Sequence, residues 1–402
     1  MNRDRRLLAS RRPALVPLVL PLIFCLHAVA GAGMYTAFFS LTTSSARADT
    51  VANVEVQNVQ QSPPQPCVLQ SGELDGSYPA FPSVLRTSTH QVFATWRLSS
   101  EHQDAGGKIM FSQLMRPFDQ CHWSQPQVIA TEPSPDHNIG PAGITQAADG
   151  SLLIGVIRYN ASTQGPARQF RSYVARSTDS GATWGSLEPI DAGYAGDISY
   201  PASLATLPDG SSIAALYGND NPEKAYDGTW YVRLVRSTDN GRTWNPWGNG
   251  VPMAEGRQWS EPQLLVEGRR VIMTLRYDAP QSSSDTSGAF LVTSTDSGKS
   301  WSTPHRITDN TSGMPTIAKL HNGRYALAYR DMSQQGYPFR YAISHDLKTW
   351  TPDNDVTGGS HRRMLYAGFT PLDTTSSLVV YALENPDSNP RGWASLHSAI
   401  IE

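Results

Sequence analysis

Ser177-Thr178-Asp179-Ser180-Gly181-Ala182-Thr183-Trp184 returns as Ser237 to Trp244 and again as Ser294 to Trp301, and this repetition decides the fold. A looser copy, Ser344-His345-Asp346-Leu347-Lys348-Thr349-Trp350, keeps the Ser, Asp, Thr and Trp and loses the glycine. Strand-like runs precede the copies (Tyr173 to Arg176, Tyr231 to Arg236, Ala289 to Thr293, Arg340 to Ile343), so each copy is expected in a hairpin turn. The chemistry is that of a turn: Asp and Ser exchange hydrogen bonds within the loop, Gly permits a positive φ, and Trp covers the hairpin with apolar surface. Asp179, Asp239 and Asp296 are therefore read as structural residues.

A second repeat counts the units. Pro82, Pro141, Pro201, Pro262 and Pro315 each begin an apolar strand at near-equal spacing. Turn residues follow, such as Asp149-Gly150, Asp209-Gly210, Gly268 and Asn322-Gly323, and then another apolar run: Leu152 to Ile157, Ser212 to Tyr217, Val271 to Leu275, Tyr325 to Tyr329. A sixth unit starts near Tyr366-Ala367, turns around Asp373 to Ser376 and returns along Leu378 to Leu383. Six hairpins, each extended by a third strand, predict six four-stranded sheets. Their simplest closed arrangement is an all-β, six-bladed β-propeller, with a pair of β-sandwiches as the alternative. Val51 to Val59 and Ser395 to Ile401 are the candidate strands that close the last blade, and no helix of consequence is expected.

The first 48 residues are of another kind. Arg3, Arg5, Arg6, Arg11 and Arg12 precede a long apolar run from Ala14 to about Leu41, and Ala46-Arg47-Ala48 offers a small-x-small cleavage site. Residues 1–48 read as an export signal cleaved before Asp49, or as an uncleaved membrane anchor that holds the propeller, 49–402, outside. After that leader only Cys67 and Cys121 remain, open to pairing or to staying as two buried thiols. The chain is secreted or periplasmic on the first reading and membrane-anchored on the second. Charge is nearly balanced, with 32 Lys and Arg against 35 Asp and Glu, which argues against nucleic acid as a partner. No Cys/His spacing suggests zinc and no nucleotide motif appears, so neither metal nor cofactor is expected.

If the hairpins are equivalent, equivalent positions form rings around the axis. The residue before the repeat proline is Phe81, Gly140, Tyr200, Glu261 or Met314, with Tyr366 in the same place before Ala367. Glu261 and Tyr366 are thus expected to face one funnel. At the far end of the second strand stand Arg97, Arg158, Arg276 and Arg330, at similar offsets from their prolines. Four guanidinium groups in register in a nearly neutral protein favour an anionic ligand, since a guanidinium grips a carboxylate bidentately.

The octapeptides resemble the Asp box of the BNR-repeat propellers, and the stretch from about Ser77 to Glu384 resembles the exo-α-sialidases among them. Trp259-Ser260-Glu261-Pro262-Gln263-Leu264 followed by Thr274-Leu275-Arg276 is similar to the family stretch in which a Glu precedes an arginine of the carboxylate-binding triad. Tyr366-Ala367-Gly368-Phe369, ending in Tyr381-Ala382-Leu383-Glu384, is similar to the segment bearing the nucleophilic Tyr. Gln103-Asp104-Ala105-Gly106-Gly107 resembles the loop that carries the acid/base Asp. The resemblance implies cleavage of terminal sialic acid or a related acidic sugar from a glycan: Tyr366 as nucleophile, Glu261 drawing its proton, Asp104 as acid and base, and Arg276 with Arg340 or Arg330 on the substrate carboxylate. The family's first triad arginine, in Arg-Ile-Pro, is replaced here by Ala80-Phe81-Pro82. Arg97 is the candidate to reach into that gap.

Two other readings stay open. His137, in Asp136-His137-Asn138-Ile139-Gly140-Pro141, could act with Tyr366 as the base of a lyase or hydrolase on uronic-acid glycans. A glycan-binding propeller without turnover would need only the arginines and the aromatics Tyr200, Trp96, Trp259 and Tyr277.

Overall fold

The computed structural model describes residues 67–401 apart from 103–104, 117–120, 161–169, 195–198, 221–228, 252–257, 280–284, 310, 334–338, 356–362 and 385–392. All of them fall in one compact unit, Gln61–Glu402. Both the expected leader and the Val51 to Val59 strand lie outside the described residues.

Six four-stranded antiparallel sheets form the six-bladed propeller that the hairpin count predicts. Blade 1 comprises Tyr78–Arg86, Val92–Ser99, Lys108–Leu114 and Gln127–Thr131. Blade 2 comprises His137–Gln146, Leu152–Asn160, Phe170–Ser177 and Glu188–Ile190. Blade 3 runs through Ser199–Thr206, Ser212–Gly218, Tyr231–Ser237 and Asn245–Val251. Blade 4 has Gln258–Glu267, Arg270–Asp278, Gly288–Ser294 and His305–Asp309. Blade 5 has Thr311–Lys319, Tyr325–Asp331, Phe339–Ser344 and Thr351–Asp355. The sixth blade takes Arg363–Pro371, Ser377–Glu384 and Ala394–Ile401 from the end of the chain, and its outer strand, Cys67–Ser71, from the beginning. First strands of successive blades touch one another all the way round, including blade 6 against blade 1.

Closure therefore uses both ends of the chain, as expected, but the outer strand is Cys67–Ser71, paired Cys67 to Ser398 and Ser71 to Ser395. A Cys67–Cys121 disulfide ties this strand to the region between the last two strands of blade 1. One four-residue helical turn, Gly72–Asp75, leads from it into blade 1.

The middle strands explain why the sequence shows apolar runs in place of alternation. Leu153 and Ile154 are both fully buried, yet on opposite faces: Leu153 packs with Leu204, Leu216 and Val235 of blade 3, Ile154 with Phe93 and Phe111 of blade 1. Each sheet is covered on both sides by its neighbours, so both faces must be apolar.

The octapeptide turns hold themselves together and also staple neighbouring blades. Asp179 accepts from Ser177 Oγ at 2.8 Å, from the Thr183 amide at 2.9 Å and from Thr183 Oγ1 at 2.6 Å, while Gly181 N donates to Ser177 Oγ. Asp239 and Asp296 repeat the pattern. The glycine is required twice over at Gly241: its φ is 82°, and a Cβ there would stand 2.6 Å from Leu153 Cδ2 of the preceding blade. In the fourth copy Leu347 takes the left-handed conformation at φ 65° and packs its side chain against Ile272 and Leu291 of blade 4.

Gly241→Ala is expected to lower stability in denaturant unfolding by about 1–3 kcal/mol, from left-handed strain plus the clash. Gly268→Ala, at φ 60° with open space around it, should lose less; equal losses would remove the stapling argument. Hydrogen bonds from Ser300 and Ser294 hold the Asp296 carboxyl at about 2, below its ordinary 3.8. A folded-state value below the unfolded one means that the stabilisation is complete above pH 3.8 and is lost as pH falls through 2. The stability gap between wild type and Asp296→Asn should accordingly be level near neutrality and close towards pH 2.

Candidate active site

The first strands surround a cavity of about 370 Å³ on the propeller axis, lined from all six blades. Each first strand slips register around its repeat proline or, in blade 6, around Tyr366: Ala80/Ser83, Pro141/Ile144, Pro201/Ser203, Ser260/Gln263, Ser312/Thr316 and Met364/Ala367. Such bulges re-aim side chains. At two of them a residue other than glycine takes a left-handed backbone, Phe81 at φ 56° and Glu261 at φ 49°, and both side chains line the cavity. Each costs about 1–3 kcal/mol and persists because the packed sheets on either side impose it.

Tyr366 Oη donates to Glu261 Oε1 at 2.8 Å, with both residues buried, at 8% and 9% exposure. Arg276 Nη1 donates to the other Glu261 oxygen at 3.2 Å, and its Nε and Nη2 reach Asp278 Oδ1 at 2.9 and 2.8 Å. Ser260 Oγ donates to the second Asp278 oxygen at 3.2 Å. Burial and the negative charge of Glu261 push the Tyr366 phenol well above its ordinary range, while Arg276 and Arg330 pull against them. Burial alone would disfavour the Arg276 cation; Glu261 and Asp278 outweigh it and hold the guanidinium charged. The phenyl ring of Phe81 leans on Tyr366 at 4.6 Å between centroids. The result is a protonated phenol already hydrogen-bonded to a carboxylate, which is the pairing needed to generate a phenolate nucleophile.

Of the residues singled out from the sequence, Tyr366, Glu261 and Arg276 meet in this cavity. Arg97 also lines it, but its guanidinium is committed to the fold: at 1% exposure it donates to Asn138 Oδ1 at 3.1 Å and to the carbonyls of Glu101 and His102 at 2.8 and 3.0 Å. It braces a loop instead of filling the gap left by Ala80, which is fully buried opposite it across the strand pair. Arg158 is not in the lining: Ile157 and Tyr159 face the cavity, and Arg158, on the other face of the strand, forms a bidentate pair with Glu132 at 2.7 and 2.9 Å. His137 also lies off the lining, with Nδ1 3.0 Å from Ser134 Oγ. Arg330 is buried and close enough to Tyr366 to favour its phenolate. Arg340 stands 3.9 Å from Asp331 and outside the lining. Asp104 lies outside the described residues. The in-register ring of four arginines thus does not hold as a funnel, because strand pleat and local partners turn the guanidinium groups to different tasks. Asp278 and His102 were missed. The first could have been found as the same-face neighbour two residues after Arg276; the second had no signal beyond its place before Gln103-Asp104.

The BNR repeat-like domain description matches residues 90–372. Comparison with curated proteins finds no match. Among solved structures, the chain is similar to a protein of unknown function from Dyadobacter fermentans, with TM-score 0.69 and 18% identity over 85% of this chain and 99% of that one. It is also similar to a mutant of the NanB sialidase of Streptococcus pneumoniae, with TM-score 0.62 and 12% identity over 88% and 72%. A third is the Trypanosoma rangeli sialidase in complex with sialic acid, with TM-score 0.62 and 12% identity over 80% and 54%.

Replacing Glu261 by Gln removes the charge that, with burial, raises the Tyr366 phenol. Spectrophotometric titration, read as the difference from Tyr366→Phe, should show phenolate forming at lower pH in Glu261→Gln than in the wild type. An unchanged titration would mean that the carboxylate does not govern the phenol.

Proposed function

We infer the function from one premise: the chain belongs to the BNR repeat-like domain family. Its fold is that of a sialidase-like propeller. The reading that its cavity supports best is an exo-α-sialidase-like glycoside hydrolase, removing terminal sialic acid or a related acidic sugar from glycans. The observation that carries it is the 2.8 Å hydrogen bond from Tyr366 to Glu261 inside the axial cavity, beside Arg276.

The chemistry follows from the substrate class. A sugar with a carboxylate on its anomeric carbon repels a carboxylate nucleophile, so a neutral phenol that ionises only as it attacks is better suited. Tyr366 Oη would bond to the anomeric carbon while its proton passes to Glu261, and the glycosidic oxygen would leave with a proton from an acid. Water then displaces the phenolate and restores both groups. Arg276, with Arg330 near Tyr366, supplies positive charge for the substrate carboxylate. With Ala80 in place of an arginine, a smaller share of the hold on that carboxylate comes from guanidinium groups. The Cys67–Cys121 disulfide supports the reading that the protein works outside the cytoplasm.

Release of a fluorophore from a 4-methylumbelliferyl α-sialoside is the direct test. Tyr366→Phe is expected to lower kcat about 10³-fold or more while the protein still binds the sugar. Full activity in Tyr366→Phe would sink the nucleophile assignment. Binding without turnover in the wild type would leave a glycan-binding propeller.

A further inference from the structure

We propose that Asp278 sets how firmly the cavity holds an acidic sugar: it fixes Arg276 for the sugar's carboxylate and opposes that carboxylate with a standing negative charge, so that the acid product leaves. The inference rests on the glycosidase reading above, in which Arg276 serves the substrate carboxylate.

Arg276 and Asp278 stand two residues apart on the second strand of blade 4, so their side chains share one face. That face is the cavity wall, while Tyr277 between them is buried on the other, against Trp259 and Phe290. Strand pairing sets Ser260 opposite Arg276. Its hydroxyl donates to Asp278 Oδ2 at 3.2 Å, which leaves Oδ1 to Nε and Nη2 of Arg276 at 2.9 and 2.8 Å. A guanidinium has five N–H donors. Asp278 takes one on Nε and one on Nη2, and Glu261 takes one on Nη1 at 3.2 Å. Two remain, one on each terminal nitrogen, and a ligand carboxylate can accept both.

The carboxylate that fixes the guanidinium also works against the ligand. Around Arg276 two carboxylates face one cation, so the cluster is net negative before any sugar arrives. Glu261 has its task in the phenol, with one oxygen on Tyr366 and the other on Arg276. Asp278 moves no proton in that chemistry. Its side chain is nevertheless 30% exposed and lines the cavity, where a purely structural counter-ion would be enclosed. Its charge is felt by another lining residue: burial, then Glu261, Tyr366 and Asp278, push the Tyr217 phenol up while Arg276 pulls against them. A carboxylate bound at Arg276 would stand a few ångströms from Asp278, and repulsion at the effective dielectric of a partly exposed site is worth about 10-fold in binding. The opposition acts on substrate and product alike and keeps the released acid from blocking the cavity.

An uncharged version of the product separates this role from a structural one. Asp278→Asn keeps an oxygen for Arg276 and an amide towards Ser260 Oγ, and removes the charge. Binding of N-acetylneuraminic acid and of its methyl ester is measured by isothermal titration calorimetry. In Asp278→Asn the acid is expected to bind about 10-fold more tightly than in the wild type, and the ester within about 2-fold of its wild-type affinity. KM for 4-methylumbelliferyl α-sialoside should fall alongside the dissociation constant of the acid. Asp278→Ala loses the hold on Arg276 as well as the charge, so it should bind the acid less tightly than Asp278→Asn, yet prefer acid over ester more than the wild type does. A preference for acid over ester that does not rise in Asp278→Asn, or in Asp278→Ala if the asparagine variant does not fold, would overturn the assignment. A wild type that neither cleaves the sialoside nor binds the acid sinks the glycosidase reading itself; a wild type that does both, with the preference unmoved by substitution, sinks only the role of Asp278.

Discussion

Every sheet in this protein is apolar on both faces, and that constraint governs the rest. Leu153 and Ile154, adjacent and both fully buried, look in opposite directions into different neighbouring blades. Burying such a side chain stabilises the fold by about 1.5–3 kcal/mol, and an open stack would forfeit it on the outer faces of its two end sheets. A closed ring has no end sheets. The last blade is assembled from two distant stretches of chain, Cys67–Ser71 pairing with Ala394–Ile401.

The ring also creates the cavity. Six first strands converge on one cavity, and register slips at equivalent points turn Phe81, Glu261 and Tyr366 inward. The same slip gives apolar Phe81 in blade 1 and ionisable Glu261 in blade 4, so the scaffold supplies positions and the residue at each supplies the chemistry. The octapeptide turns serve a separate purpose: they bond internally and pack on the preceding blade, as the approach of Gly241 to Leu153 shows.

Charge inside the cavity is largely compensated by the protein's own groups. Arg276 lies between Glu261 and Asp278, and Arg97 gives its donors to backbone carbonyls and Asn138. Such arrangements keep buried charges paired and position neighbours, in this case a phenol and a loop.

Local patterns in the chain were enough to determine the blade count, the turns and the placing of Tyr366 and Glu261, more than one hundred residues apart, on one cavity. Repeats carry that information because equivalent positions in equivalent hairpins must occupy equivalent places on a ring. Tertiary structure alone decided where each guanidinium goes. Arg97, Arg158, Arg276 and Arg330 sit at similar offsets, yet Arg97 binds backbone carbonyls, Arg158 binds Glu132 and Arg276 binds two cavity carboxylates. It also decided the closing strand and brought His102, Tyr78 and Glu384 together from two blades. A long side chain ends several ångströms from its backbone, and its direction is set by partners that the repeat does not encode.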